Sequence, residues 1–246
     1  MKSISSTLLA SIVFTMLAAG SVRADTIGLW TFEAGQPSAL PSNLSVTGTT
    51  YGPIPSDVGT GFGSGTHFAA TSVFSSPVGD GSVRAFSANN WTNGATDYFQ
   101  FTVNQDLVNY TYSGVNVAYD QNGSATGPKT FYLAYSSDGT SWNNLSDYAL
   151  TSGVTWSSTV VQATHENFDL SAATALNTAG TMYFRITEDS PQIAGAINGG
   201  NVGTAGTDRV DNFTVTATVA AVPEPQALGL LGGLGLLTLS FIRRRK

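Results

Sequence analysis

The sequence predicts an all-β fold: an antiparallel β-sandwich, jelly-roll-like, with an N-terminal signal helix and a C-terminal transmembrane-type helix. Apolar and polar residues alternate over several short runs, as strands with one buried face require. Clusters rich in Gly, Ser and Asn separate these runs and supply turns. Outside the two ends, no stretch of useful length has helical periodicity.

At the N-terminus, Lys2 gives a positive start, Leu8 to Ala19 an apolar run, and Val22-Arg23-Ala24 a small-residue cleavage site. That order is the order of a secretory signal peptide. Residues 1–24 are therefore set apart, and the mature chain is expected to begin at Asp25.

The following segment, residues 25–221, carries the strands. Phe99, Phe101 and Val103 alternate with Tyr98, Gln100 and Thr102; Met182, Phe184 and Ile186 alternate with Tyr183, Arg185 and Thr187; Phe213, Val215 and Ala217 alternate with Thr214 and Thr216. Further strands are expected at Ile27 to Phe32, Phe68 to Phe74, Val83 to Phe86, Val115 to Tyr119, Phe131 to Tyr135 and Val160 to Thr164. Gly61-Phe62-Gly63-Ser64-Gly65, Asn122-Gly123 and Asp138-Gly139 read as turns, because glycine accepts positive φ. About nine to eleven strands without an internal repeat argue for a sandwich and against a propeller or solenoid.

The last segment, residues 222–246, opens with Val222-Pro223-Glu224-Pro225, runs apolar from Ala227 to Ile242, and ends in Arg243-Arg244-Arg245-Lys246. Proline ends the preceding strand, the apolar run can enter a bilayer, and the terminal cations stay on the cytoplasmic side. The run of about 16 residues would rise roughly 24 Å against a hydrocarbon core of about 30 Å. So short a span suits a transient stop in the membrane followed by processing.

With both ends removed, four Lys or Arg (Arg84, Lys129, Arg185 and Arg209) face fifteen acids, so the central segment carries about −11. There is no basic stripe to neutralise phosphates, which excludes a nucleic-acid partner. Cysteine is absent, which excludes a disulfide framework and thiolate metal sites. Stability must come from a buried core, which a segment of this length can build.

The Pro-Glu-Pro motif, the Gly-rich apolar stretch containing Leu230-Leu231-Gly232-Gly233-Leu234-Gly235 and the basic end together resemble the PEP-CTERM sorting signal of Gram-negative bacteria. The resemblance covers the last tenth of the chain. It implies processing by exosortase, an integral-membrane cysteine-protease-like enzyme. It also implies passage through the inner membrane, delivery to the cell surface or extracellular matrix, and an association with exopolysaccharide and biofilm. Within the central segment, Tyr98 to Val103, Thr126-Gly127-Pro128 leading into Phe131 to Gly139, and Arg209 to Val215 are similar in order to the strands of many cargo domains of that family. Those domains resemble galactose-binding-like or concanavalin-like jelly rolls.

By that resemblance a structural calcium ion would lie where the first and last strands meet, held by Glu33 and Asp211 with Asp208 nearby; hard cations take such carboxylate oxygens. No other cofactor is expected. Of the four tryptophans, Trp91, in Ser87-Ala88-Asn89-Asn90-Trp91-Thr92-Asn93, has the polar neighbours of a ligand-binding rim, while Trp30, Trp142 and Trp156 default to core packing. Ser136 to Trp142 is similar to the Asp-box hairpin of sialidases but lacks the residue between Asp and Gly, and a plain Asp-Gly hairpin is the simpler reading. His67 and His165 are far apart in sequence with no G-x-S-x-G motif, so no catalytic triad is expected. The six Asn-x-Ser/Thr sequons carry no weight in a chain of bacterial type.

These readings define a secreted, surface-sorted structural or matrix-associated protein without catalysis. A carbohydrate-binding module for exopolysaccharide is the first alternative, and a polysaccharide-active enzyme the second. Trp and Tyr side chains beside a groove would select the module. Two carboxylates about 5 to 10 Å apart across a cleft would select the enzyme.

Overall fold

The computed structural model describes residues 23–32, 51–66, 85–91, 97–150 and 164–222. Residues 1–22 of the signal segment, Glu33, the Phe68 to Phe74 strand and the tail from Pro223 onwards, including Pro225, Arg243 and Lys246, lie outside them. Twelve strands occupy the described residues: β1 (Arg23–Trp30), β2 (Tyr51–Pro55), β3 (Gly61–Gly65), β4 (Phe86–Ala88), β5 (Tyr98–Asn104), β6 (Tyr110–Gly123), β7 (Thr130–Ser136), β8 (Asn143–Asn144), β9 (Tyr148–Ala149), β10 (Thr164–Asp169), β11 (Thr181–Glu188) and β12 (Asp208–Ala221). The helical content among those residues is a single 3-10 turn, Thr174–Thr178, which buries Leu176. None of their helices is long and apolar enough to cross a membrane.

All pairings are antiparallel, and they form two sheets. The first runs β1-β12-β6-β10, with β4 pairing β12 beyond the end of β1; the second runs β2-β3-β5-β11-β7-β8, with β9 also on β7. The predicted two-sheet β architecture is therefore present. Phe99, Phe101, Phe184, Ile186, Phe213 and Val215 are all fully buried, as their alternation requires. Phe101 of the second sheet and Phe213 of the first stack with ring centroids 3.7 Å apart and planes within 9°. Trp30 meets both edge-on and donates its indole N–H to the Ile54 carbonyl at 3.1 Å, so its one polar atom is satisfied inside the core.

Two glycine clusters depart from the turns expected of them. Gly61 to Gly65 forms β3, pairing β2 on one side and β5 on the other. A Cβ at Gly61 would lie 1.8 Å from the Thr102 carbonyl oxygen, so glycine serves here to let two backbones approach. Asn122-Gly123 is the buried end of β6, paired with Arg209 and Asp208 of β12. A Cβ at Gly123 would lie 2.4 Å from Ile197 Cδ1. Strand β6 also runs past Val115 to Tyr119 at both ends, passing a kink at Gly114, whose φ is +60°. Of Val83 to Phe86, the pairing begins at Phe86, and of Val160 to Thr164 the described part is Thr164 alone, which opens β10.

The boundaries of the first and last described strands are informative. β12 closes at Ala221, and the Val222 N–H donates to the Asn109 carbonyl at 2.8 Å. β1 opens at Arg23, with Ala24 opposite Thr218, so the strand begins on the near side of the expected cleavage point.

Candidate functional site

The second sheet buries one face against the first and turns the other outward. Period two places Tyr98, Gln100 and Thr102 of β5, Tyr183, Arg185 and Thr187 of β11, and Tyr132 and Ala134 of β7 on that outer face. The register aligns them in rows. Gln100, Arg185, Ala134 and Asn144 lie side by side across four strands, and Tyr98, Thr187 and Tyr132 form the next row.

Trp142 reaches this face through the loop joining β7 to β8. Asp138 Oδ1 accepts the N–H groups of Thr140 and Ser141, both at 2.7 Å, and the Ser136 hydroxyl at 2.9 Å. Ser136 Oγ in turn accepts the N–H of Gly139 at 2.9 Å. Gly139 has φ +75° and sits so close over Tyr183 that a Cβ would lie 3.1 Å from that ring, which a larger residue could not adopt without strain. The hydrogen bonds from the Ser141 and Thr140 backbone and from Ser136 hold the Asp138 carboxyl well below the usual carboxylate range, so the turn stays ionised and closed in mildly acidic solution. This is the Asp-Gly hairpin expected from the sequence, and its consequence is to fold Trp142 over the sheet.

The result is a concavity of about 290 Å³ lined by Tyr98, Tyr132, Ala134, Trp142, Asn144, Arg185 and Thr187. The Arg185 guanidinium carbon lies 4.0 Å from the centre of the Tyr98 ring and 3.8 Å from that of Trp142. Its Nε–H donates to Gln100 Oε1 at 2.8 Å. Partial burial draws the Arg185 pKa down, with Tyr98 and Tyr132 opposing, yet a guanidinium remains cationic at any physiological pH. Tyr98, Tyr132 and Trp142 are each half-buried and Asn144 is exposed. Apolar ring surface and hydrogen-bonding groups are thus offered together.

The rim position expected of Trp91 is a correction. Trp91 is 3% exposed, packs edge-on against Phe99 and Phe131, and donates its indole N–H to the Ala88 carbonyl at 3.2 Å. The polar residues around it in sequence did not reveal that its own ring fills the sandwich. Trp142, given to the core by default, is, among the described residues, the tryptophan on the outer face; its place directly after an Asp-Gly turn was the available signal.

The expected calcium ligands do not converge among the described residues. Asp208 and Asp211 are both buried, but they lie three residues apart in an unbroken stretch of ladder and so point to opposite faces of β12. Asp208 turns inward, where Oδ1 accepts from Gln121 Nε2 at 2.8 Å and Oδ2 has no partner. Burial raises its pKa well above the ordinary value. Asp211 turns outward opposite Asp120, and its Oδ1 accepts the Asn212 N–H at 2.7 Å. No group of three His, Cys, Asp or Glu suited to a metal forms among the described residues, and Glu33 lies outside them.

A second buried acid, Glu188, ends β11. Its Oε1 accepts the Ser190 N–H at 2.7 Å while Oε2 has no partner. Burial, with the Asp97 and Asp189 charges adding to it, pushes its pKa up to about 7. Of the histidines, His165 on β10 meets Asp120 at 2.8 Å on the solvent side, and His67 lies outside the described residues.

The fold and this face define a two-sheet antiparallel β-sandwich with an aromatic and cationic concavity on one outer surface. No protein-family model and no curated protein matches the chain. Among solved structures, it is similar to TmCBM61 in complex with β-1,4-galactotriose at 8% identity, covering 53% of this chain and 68% of that one, with a TM-score of 0.29. It is similar also to the CBM22-1–GH10 modules of a Clostridium thermocellum endo-1,4-β-D-xylanase complexed with xylohexaose, at 12% identity over 81% of this chain and a TM-score of 0.38; the chain spans 30% of that larger protein. A Stig cyclase from Fischerella sp. TAU is similar at 10% identity over 80% of this chain and all of that one, with a TM-score of 0.37. At these scores none of the likenesses assigns a ligand.

Proposed function

We propose that this protein is a non-catalytic carbohydrate-binding sandwich, carried to the bacterial cell surface by its signal segment and tail, where it holds exopolysaccharide. The observation that carries this reading is the placement of Trp142, Tyr98 and Tyr132 around a polar concavity on the outer face of the second sheet. Sugar rings present C–H faces that pack on aromatic surface and a rim of hydroxyls that needs donors and acceptors. Asn144 and Arg185 supply those beside the rings. Hydrolysis of a glycosidic bond would need two carboxylates flanking it, and the residues lining this concavity include none. The arrangement thus favours the binding module over the purely structural role and over the enzyme. The sorting route rests on the tail motif, Val222 to Pro225 with Arg243 to Lys246.

Native electrophoresis of the full-length protein through gels containing dissolved polysaccharides tests the reading. Retardation by at least one polymer is expected, and Trp142→Ala should abolish most of it. Equal mobility of both proteins across neutral and acidic polymers would overturn the proposal.

A further inference from the structure

Arg185 identifies the chemical class of sugar. Its known hydrogen bond uses Nε alone, and among the described residues no carboxylate pairs with it. In a central segment with fifteen acids and four cations, a guanidinium with no carboxylate partner among the described residues is unexpected if its task is to stabilise the fold. Arg209, on β12 of the other sheet, shows the contrast: it is buried beside Asp208 and donates to Ser87 Oγ. With its Nε committed to Gln100 and its plane held by two rings, the remaining amino edge of Arg185 is fixed in place before any ligand arrives.

Resting on the carbohydrate-binding reading above, we propose that the concavity selects an acidic polysaccharide, one whose sugar rings carry carboxylates. A fixed guanidinium presents paired donors that match the two oxygens of a carboxylate. A hydroxyl is uncharged and offers one oxygen where the carboxylate offers two, so the acid should be preferred by about tenfold. The acidic remainder of the surface does not prevent this, because charges farther than about 8 Å are screened at physiological ionic strength. It does repel acidic polymer everywhere else, which confines binding to this face.

The test uses the full-length protein with polygalacturonate and with the same polymer after reduction of its carboxyl groups, measured by calorimetry at low and physiological salt. Wild type should bind polygalacturonate about tenfold more tightly than the reduced polymer. Arg185→Gln, which keeps a hydrogen-bonding side chain without charge, should erase that difference, lowering affinity for polygalacturonate more than for the reduced polymer. Trp142→Ala should weaken both. Equal affinity of wild type for the two polymers would overturn the acidic preference and leave carbohydrate binding standing; no binding of either would overturn both. Because the comparison between polymers needs no variant, poor folding of Arg185→Gln would not obscure the result.

Discussion

The guanidinium carbon of Arg185 lies 3.8 Å from the centre of the Trp142 ring, joining a residue of β11 to one in the loop after β7. The pair is possible because Ala134, the small residue next to Arg185 in the ladder, leaves room for the indole to fold over the sheet. Trp142 and Trp91 therefore have opposite roles, and substitution separates them. Trp91→Ala empties a core site and should cost about 3–5 kcal/mol, lowering the melting temperature by roughly 10 °C in a domain of this size. Trp142→Ala should lower it by no more than about 3 °C while weakening polysaccharide binding about tenfold or more. Thermal melts and binding titrations of the two variants decide this, and a reversed pattern would show that the faces have been misassigned.

The Asp138 turn should act on binding through Trp142. Asp138→Ala removes the acceptor of two backbone N–H groups and one hydroxyl, so the loop should lose its fixed shape and affinity should fall several-fold. Asp138→Asn keeps an acceptor oxygen and should retain most of it. Because its pKa is lowered in the folded protein, the stabilisation from Asp138 is complete above the ordinary carboxylate pKa and fades only as pH falls below it. Affinity of the two variants at pH 7 checks the first claim, and equal losses in both would rule it out.

Glu188 has the opposite sign. Its folded pKa of about 7 lies above the unfolded 4.5, so the favourable protonated state is fully populated below about pH 4.5. Its stabilisation is lost as pH rises through 7. The buried carboxyl of Asp208, also raised, adds in the same direction. Wild type should melt higher at pH 5 than at pH 8, and Glu188→Gln should flatten that slope by about 1–3 kcal/mol across the interval. A melting temperature that is constant from pH 5 to 8 in wild type would contradict a buried Glu188 of this kind.

The tail should be separable from the sandwich. β12 ends at Ala221 and the last described contact is the Val222 N–H to Asn109. Deleting residues 223–246 should leave the melting temperature within about 2 °C of wild type and release the protein to the medium. Replacing Pro223-Glu224-Pro225 with alanines should leave an unprocessed membrane-retained precursor. Immunoblots of fractionated cells distinguish these outcomes, and normal processing of the alanine variant would refute a sorting role for the motif.

Much of the sandwich was legible because period-two alternation reports burial directly: Phe101, Phe184 and Phe213 could be placed inside from their neighbours alone. Glycine misled where its use was contact and not turning. Gly61 and Gly123 sit in strands because another chain segment lies against them, and local sequence does not show the approaching backbone. The outer face was half visible. Tyr98, Gln100, Arg185 and Thr187 fell on the polar side of their strands, but which of them meet depends on the β5-β11-β7 register, a long-range property. Trp142 was missed for the same reason, and Trp91 was misplaced because polar neighbours along the chain say little about the far side of the sheet.

The most direct test of the account follows the four indole N–H resonances of the isotope-labelled full-length protein during titration with a galacturonate hexamer. The Trp142 signal, assigned by its loss in Trp142→Phe, should shift progressively and saturate. Those of Trp30 and Trp91, tied to the carbonyls of Ile54 and Ala88 inside the core, should stay in place. A Trp142 resonance that does not move at saturating hexamer, or shifts confined to residues away from the outer face of the second sheet, would contradict the central claim that this face is where the protein binds polysaccharide.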